Sequence, residues 1–251
     1  MPRLLEHGDS VRVLARQREQ GEALRARGAA IAIGDLLRPE TLGPAVAGVE
    51  AVVHLAAFFR GATPEQAHAT NMLGTLHLAR ACIAAGVPRF IFASTNLVYG
   101  AGHGRPARED DAPRAEGGYP ASKIAAEQAL QGLHRSQGLG LRILRLAFVY
   151  GDGDSHLAEV VPILRPWPPM KRLHMVHHAD VAQAVALAME APDIDGRTYN
   201  VADDEPVTAA EILRLNGEPV SDEMEATSLE DAWEGIVDTA RIKDELGFRP
   251  L

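Results

Sequence analysis

The chain has 251 residues, 46% of them hydrophobic and 24% charged, the balance of a globular protein with a sizeable core. Its net charge of −9 gives no electrostatic basis for binding nucleic acid or an anionic membrane. No apolar run is long enough to span a bilayer, and the opening residues Met1-Pro2-Arg3-Leu4-Leu5-Glu6-His7 carry no apolar signal core. The single cysteine, Cys82, excludes an internal disulfide and suits a reducing cytoplasm, the expected location.

In chain order, apolar and β-branched runs at residues 11–15, 30–34, 51–55, 89–93, 141–149 and 199–201 predict strands. Most are nearly continuous, as expected for strands covered on both faces. Helical patterns fall between them, at 17–27, 39–46, 64–85, 119–136, 179–190, 209–215 and 239–246. Residues 101–118 read as a surface loop and 152–172 as an irregular insertion or small lobe. Strands alternating with helices imply βαβ units with right-handed crossovers. The fold class is therefore α/β, a Rossmann-type doubly wound parallel sheet, with a core at 1–151 and a small C-terminal substrate lobe at 152–251. Cys82 lies in an apolar helical stretch and reads as a buried, inert thiol.

The chemistry is concentrated in Gly117-Gly118-Tyr119-Pro120-Ala121-Ser122-Lys123. Residues i and i+4 share a helix face, so the Tyr119 and Lys123 side chains can act together. A neighbouring ammonium favours the phenolate, which brings a group of unperturbed pKa about 10 toward working pH for proton exchange. In a doubly wound sheet, ligands bind beyond the carboxyl ends of the strands. There stand Asp35, then Ala56 and Ala57, then Ser94-Thr95-Asn96, then Tyr150-Gly151. Thr95, Tyr119 and Lys123 can thus converge at one end of one sheet. His174, His177 and His178 have spacing that could hold zinc, but no cysteine or carboxylate cluster accompanies them, and no metal is expected.

With these residues in order, the chain resembles the extended branch of the short-chain dehydrogenase/reductase superfamily, the NAD-dependent epimerase/dehydratase family. The matching segments are Gly34-Asp35-Leu36, His54-Leu55-Ala56-Ala57, Asn71-Met72-Leu73-Gly74-Thr75, the run Phe92 to Gly100, Tyr119-x-x-x-Lys123, Arg145-Leu146-x-x-Val149-Tyr150-Gly151, Val176-His177-x-x-Asp180-Val181-Ala182, Tyr199-Asn200-Val201 and Glu245-Leu246-Gly247-Phe248-x-Pro250. The resemblance implies that Tyr119 is the catalytic acid/base and that Lys123 lowers its pKa and holds the nicotinamide ribose. It implies that Thr95 bonds the reacting oxygen, beside Asn96 in the substrate site, and that Asn71 orders the active-site helix and a water. It implies that Asp35 and Leu36 flank the adenine and that Leu55, Ala56 and Ala57 line the dinucleotide path. Asp35 could instead cap the next turn. Arg16 stands where NAD users of the family tend to carry an acid, and an arginine suits a 2′-phosphate, so NADP is expected ahead of NAD. The resemblance also implies a homodimer through helices 64–85 and 119–136.

The chain departs from the family at its front. A first apolar strand and a Gly-x-x-Gly-x-x-Gly turn are absent, and residues 2–8 resemble the end of the helix that follows them. In the order 3-2-1-4-5-6, that strand is central. The expectation is a truncated form of a longer protein, poorly stable and weak in dinucleotide binding. The expected function is NAD(P)-dependent hydride transfer between nicotinamide and a small carbonyl or carbinol substrate. Rival readings are a nucleotide-sugar epimerase or dehydratase and a non-catalytic NAD(P)-binding remnant or sensor. Ala147-Phe148 and the short stretch after Gly151 weaken the nucleotide-sugar reading.

Overall fold

The computed structural model describes residues 2–59, 61, 63–115, 117–220 and 228–251. In chain order the elements are α1 (Pro2–His7), β1 (Arg12–Ala15), α2 (Arg18–Arg25), β2 (Ala30–Ile33), α3 (Gly43–Val46), β3 (Ala51–His54), α4 (Pro64–Ala67), α5 (Gly74–Ala85), β4 (Arg89–Thr95), α6 (Gly118–Gln137), β5 (Leu141–Leu146), β6 (Phe148–Tyr150), α7 (His156–Leu164), β7 (Arg172–Leu173), β8 (Met175–His177), α8 (His178–Glu190), β9 (Thr198–Val201), β10 (Val207–Thr208), α9 (Ala209–Leu215) and α10 (Ala240–Leu246). The fold is α/β with a parallel sheet of order β3-β4-β5-β9.

The parallel ladders fall into separate sheets. β1 and β2 pair in parallel as a two-stranded sheet, and β3 starts the four-stranded one. Among the described residues no strand joins the two sheets. Arg12 nevertheless ties β1 to the segment before β3, donating to the Ala47 carbonyl at 2.7 Å and the Ala45 carbonyl at 3.1 Å.

Two units divide the chain. The first comprises Met1–Ser94, Glu116–Leu144 and Val185–Thr198. Its core joins Leu78, Ala79 and Cys82 of α5 to Phe90 and Phe92 of β4, Ala126, Leu130 and Leu133 of α6, and Leu141 and Ile143 of β5. Cys82 is fully buried, and burial pushes its thiol up to about 12, as expected of an inert cysteine. Gly140 is required here by close approach, because a Cβ would collide with the Pro88 carbonyl.

The second unit comprises Thr95–Ala115, Arg145–Ala184 and Tyr199–Leu251. Its apolar centre is Val160, Val161 and Leu164 of α7 with Met175, Ile212 and Leu213, and Trp167 packs against it. Two expectations are corrected here. The run 141–149 is two strands, because at Ala147 the chain leaves β5 and β6 pairs in parallel with β8. The stretch 152–172 contains a nine-residue helix, α7, despite Pro162 within it. Its apolar face is covered by the core just described, and packing overrides the weak local signal.

Candidate active site

α6 brings Tyr119 and Lys123 to one face. It starts at Gly117, whose φ of 69° suits glycine, and ends at Gly138 in the left-handed conformation. Lys123 is 1% exposed. Its Nζ donates to the Ala93 carbonyl at 2.8 Å and lies 4.6 Å from the centre of the Phe92 ring. It lies 5.8 Å from the centre of the Tyr119 ring. Burial brings the ammonium down to about 8, with Glu127 opposing the shift.

The expected lowering of the phenol is not what this geometry produces. Burial pushes Tyr119 up to about 12. The lysine that should favour the phenolate is held by the Ala93 carbonyl, and desolvation decides the direction. At neutral pH the hydroxyl therefore keeps its proton.

Asn71 is fully buried in a π-helical turn, His68–Leu73, between α4 and α5. Such turns are rare and concentrate at functional sites. Its amide donates to Ser122 Oγ at 2.9 Å and to the Phe58 carbonyl at 3.0 Å, and its Oδ1 accepts from the Phe58 N–H at 2.7 Å. Ser122 Oγ in turn donates to the Tyr119 carbonyl at 2.6 Å. Asn71 is thus bonded to α6 through Ser122, a serine that the motif contained without marking.

Beneath Asn71 lies a histidine the sequence reading left unassigned. The Thr75 hydroxyl proton goes to the Asn71 carbonyl at 2.6 Å, so Thr75 Oγ1 accepts from His54 Nε2–H at 2.8 Å. Burial first, and the Lys123 charge second, bring His54 down to about 3, and the ring is neutral.

The remaining predicted residues follow strand ends. Arg16 is exposed directly after β1. Asp35 follows β2 by two residues, and its Oδ1 accepts from the Leu37 N–H at 2.9 Å, the turn-capping role left open above. Leu36 packs on Gly74, and its carbonyl accepts from the His77 ring at 2.8 Å. Leu55, Ala56 and Ala57 are exposed after β3. Thr95 ends β4, two residues beyond the carbonyl that holds Lys123; its Oγ1 accepts from the Leu97 N–H at 3.2 Å. Asn96 is buried, with its amide donating to the Gly235 carbonyl at 2.7 Å. His174 uses both ring nitrogens, on the Asp203 carbonyl and the Val237 N–H. Among the described residues no three side chains of His, Cys, Asp or Glu group as metal ligands, and no helix is long and apolar enough to cross a membrane.

A helix carrying tyrosine and lysine four residues apart, beside a parallel sheet, defines a protein of the extended short-chain dehydrogenase/reductase type. The chain belongs to the NAD dependent epimerase/dehydratase family, whose profile matches residues 1–202. It is 31% identical to a 4-hydroxy-2-methyl-3-oxo-4-farnesyl-3,4-dihydroquinoline-1-oxide ketoreductase of Stigmatella aurantiaca, over 84% of this chain and 66% of that protein. It is 30% identical to a 2-alkyl-3-oxoalkanoate reductase of Stenotrophomonas maltophilia, over 84% of this chain and 68% of that protein. The chain spans about two thirds of the length of these curated relatives. Among solved structures, the UDP-glucose 4-epimerase of Thermotoga maritima with UDP-glucose superposes with a TM-score of 0.81 at 26% identity, over 99% of this chain and 88% of the other.

Proposed function

We infer that the protein is an NAD(P)-dependent cytoplasmic oxidoreductase that reduces a carbonyl substrate to a carbinol. The observation that carries this reading is the placement of Tyr119 and Lys123 four residues apart on α6, with Lys123 anchored to the Ala93 carbonyl of the strand that ends in Thr95. A phenol carries its proton at neutral pH and can give it to the alkoxide that develops in a reduction.

The residues present fit the nicotinamide end of the cofactor. Ser94 Oγ is buried with no hydrogen-bond partner, Lys123 sets its ammonium on the carbonyl of the preceding residue, Ala93, and Leu55-Ala56-Ala57 leave an exposed path of mostly small side chains after β3. When bound, the nicotinamide supplies the hydride that the carbonyl carbon accepts. Tyr119 gives its hydroxyl proton to the carbonyl oxygen, completing the carbinol. Thr95 orients that oxygen through its hydroxyl. Lys123, anchored at the Ala93 carbonyl, would hold the nicotinamide ribose. Asn71 keeps α6 in place through Ser122. Arg16, exposed at the end of β1, is the reason to expect NADP ahead of NAD. Helices 64–85 and 119–136 are proposed to pair two copies, a state that mass measurement in solution checks.

The test is coenzyme oxidation at 340 nm with ketone substrates, comparing the chain with Tyr119→Phe. Loss of turnover with coenzyme binding retained supports the role; turnover that survives overturns it. The second reading, a nucleotide-sugar epimerase or dehydratase, is favoured by the likeness to the Thermotoga maritima epimerase. It returns the hydride within each cycle, so product formation from a nucleotide sugar without net coenzyme change would select it.

A further inference from the structure

The segment after β3 places three large apolar side chains on the surface within five residues: Leu55 is 54% exposed, Phe58 38% and Phe59 42%. Exposed apolar groups scattered singly need no explanation, but a cluster beside a reactive group does. The Phe59 ring meets the Tyr119 ring edge to face, with centroids 4.6 Å apart, a favourable arrangement for two aromatic rings.

The cluster is also fixed in place. Asn71 bonds both the N–H and the carbonyl of Phe58, and its second amide hydrogen goes to Ser122 on the helix that carries Tyr119. The same buried side chain therefore sets the position of the aromatic pair and of the phenol. Phe58 and Phe59, beyond the Leu55-Ala56-Ala57 path assigned to the cofactor, carry no polar side-chain atom. Hydroxyls of a sugar laid on these two rings would find no hydrogen-bond partner in them and would lose their water. An alkyl chain or apolar ring would instead gain about 0.8 kcal/mol per buried methylene.

We propose that Phe59, on a backbone pinned at Phe58 by Asn71, is the specificity-determining residue of the site. It receives the apolar chain or ring of the substrate and so selects hydrophobic ketones over sugars. This rests on the carbonyl-reductase reading above and narrows it to a substrate class.

The test uses the full chain and a series of ethyl 3-oxoalkanoates with acyl chains of increasing length. The expected result is a rise in kcat/KM of about fourfold per added methylene over the first additions. Phe59→Ala should reduce that to twofold or less per methylene. Phe59→Trp should restore the slope. Equal slopes in the original chain and Phe59→Ala would overturn the proposal. Calorimetric binding of ethyl 3-hydroxydecanoate separates this from failure of the reductase reading, because it needs no turnover. Binding weakened at least tenfold by Phe59→Ala supports the role of Phe59 even where every ester is inert. Binding equal in the two proteins overturns it. UDP-glucose binding tighter than the decanoate ester, and weakened by Phe59→Ala, would overturn the apolar substrate class.

Discussion

Lys123 directs its ammonium at the Ala93 carbonyl, 2.8 Å away, and its charge is thereby tied to the sheet before it serves the phenol of Tyr119. The ammonium is buried and its folded pKa, about 8, lies below the ordinary 10.5. A depressed pKa means stability that is present above pH about 10.5 and lost as pH falls toward 8, because the unfolded chain takes up the proton first. The loss amounts to at most about 3 kcal/mol. Denaturant titrations from pH 10.5 to 8 should show this limb in the original chain and its absence in Lys123→Met; identical slopes would refute it.

Tyr119→Phe removes the hydroxyl and keeps the ring that packs on Phe59. Reductive turnover should fall by about 10²–10⁴-fold, the usual worth of a positioned acid. The unfolding midpoint should stay within a few degrees. A large drop in Tm would mean that the hydroxyl has a structural role.

His54 gives the acid side. Its folded pKa of about 3 lies below the ordinary 6.5, so stability present above 6.5 is lost as pH falls toward 3. The loss approaches about 5 kcal/mol at the lower end. His54→Gln retains an amide donor for Thr75 and removes the titration. Its stability should decline less steeply between pH 6.5 and 3, and a curve parallel to the original would show that His54 is not responsible.

Asn71→Leu leaves the Phe58 N–H, the Phe58 carbonyl and Ser122 without their partner. Each unpaired buried group costs about 1–3 kcal/mol, so chemical denaturation should report a loss of about 2–4 kcal/mol after partial rehydration. Amide exchange at Phe58 should accelerate. Unchanged exchange there would mean that Asn71 does not pin the segment.

Gly140→Ala drives a Cβ into the Pro88 carbonyl, a backbone atom that has little freedom to yield. The expected loss is at least about 3 kcal/mol or failure to fold. A substitution with less than about 1 kcal/mol of effect would show that the two segments move apart easily.

Much of this was legible in the sequence, for identifiable reasons. The centre of β4, Phe90 to Ala93, is buried on both faces and reads as an unbroken apolar stretch. Tyr119 and Lys123 declared themselves by helical spacing. The turn at His68–Leu73 did not, because a π turn and an α turn have the same composition and differ only in which carbonyl each N–H meets. The break at Ala147 was hidden because the chain stays apolar while changing partners from one ladder to another. The direction of the Tyr119 shift was misread because spacing fixes which side chains are neighbours, and the Ala93 carbonyl that competes for Lys123 comes from a strand about thirty residues earlier.

The separation of the β1–β2 pair from the four-stranded ladder has a consequence for cooperativity. No main-chain ladder couples the two sheets among the described residues; Leu14 packing and the Arg12 bonds to the Ala45 and Ala47 carbonyls do so instead. The pair can open without breaking a single rung of the larger sheet. Such an opening would leave intact the β3-β4-β5-β9 ladder, on whose β4 carbonyl Lys123 rests.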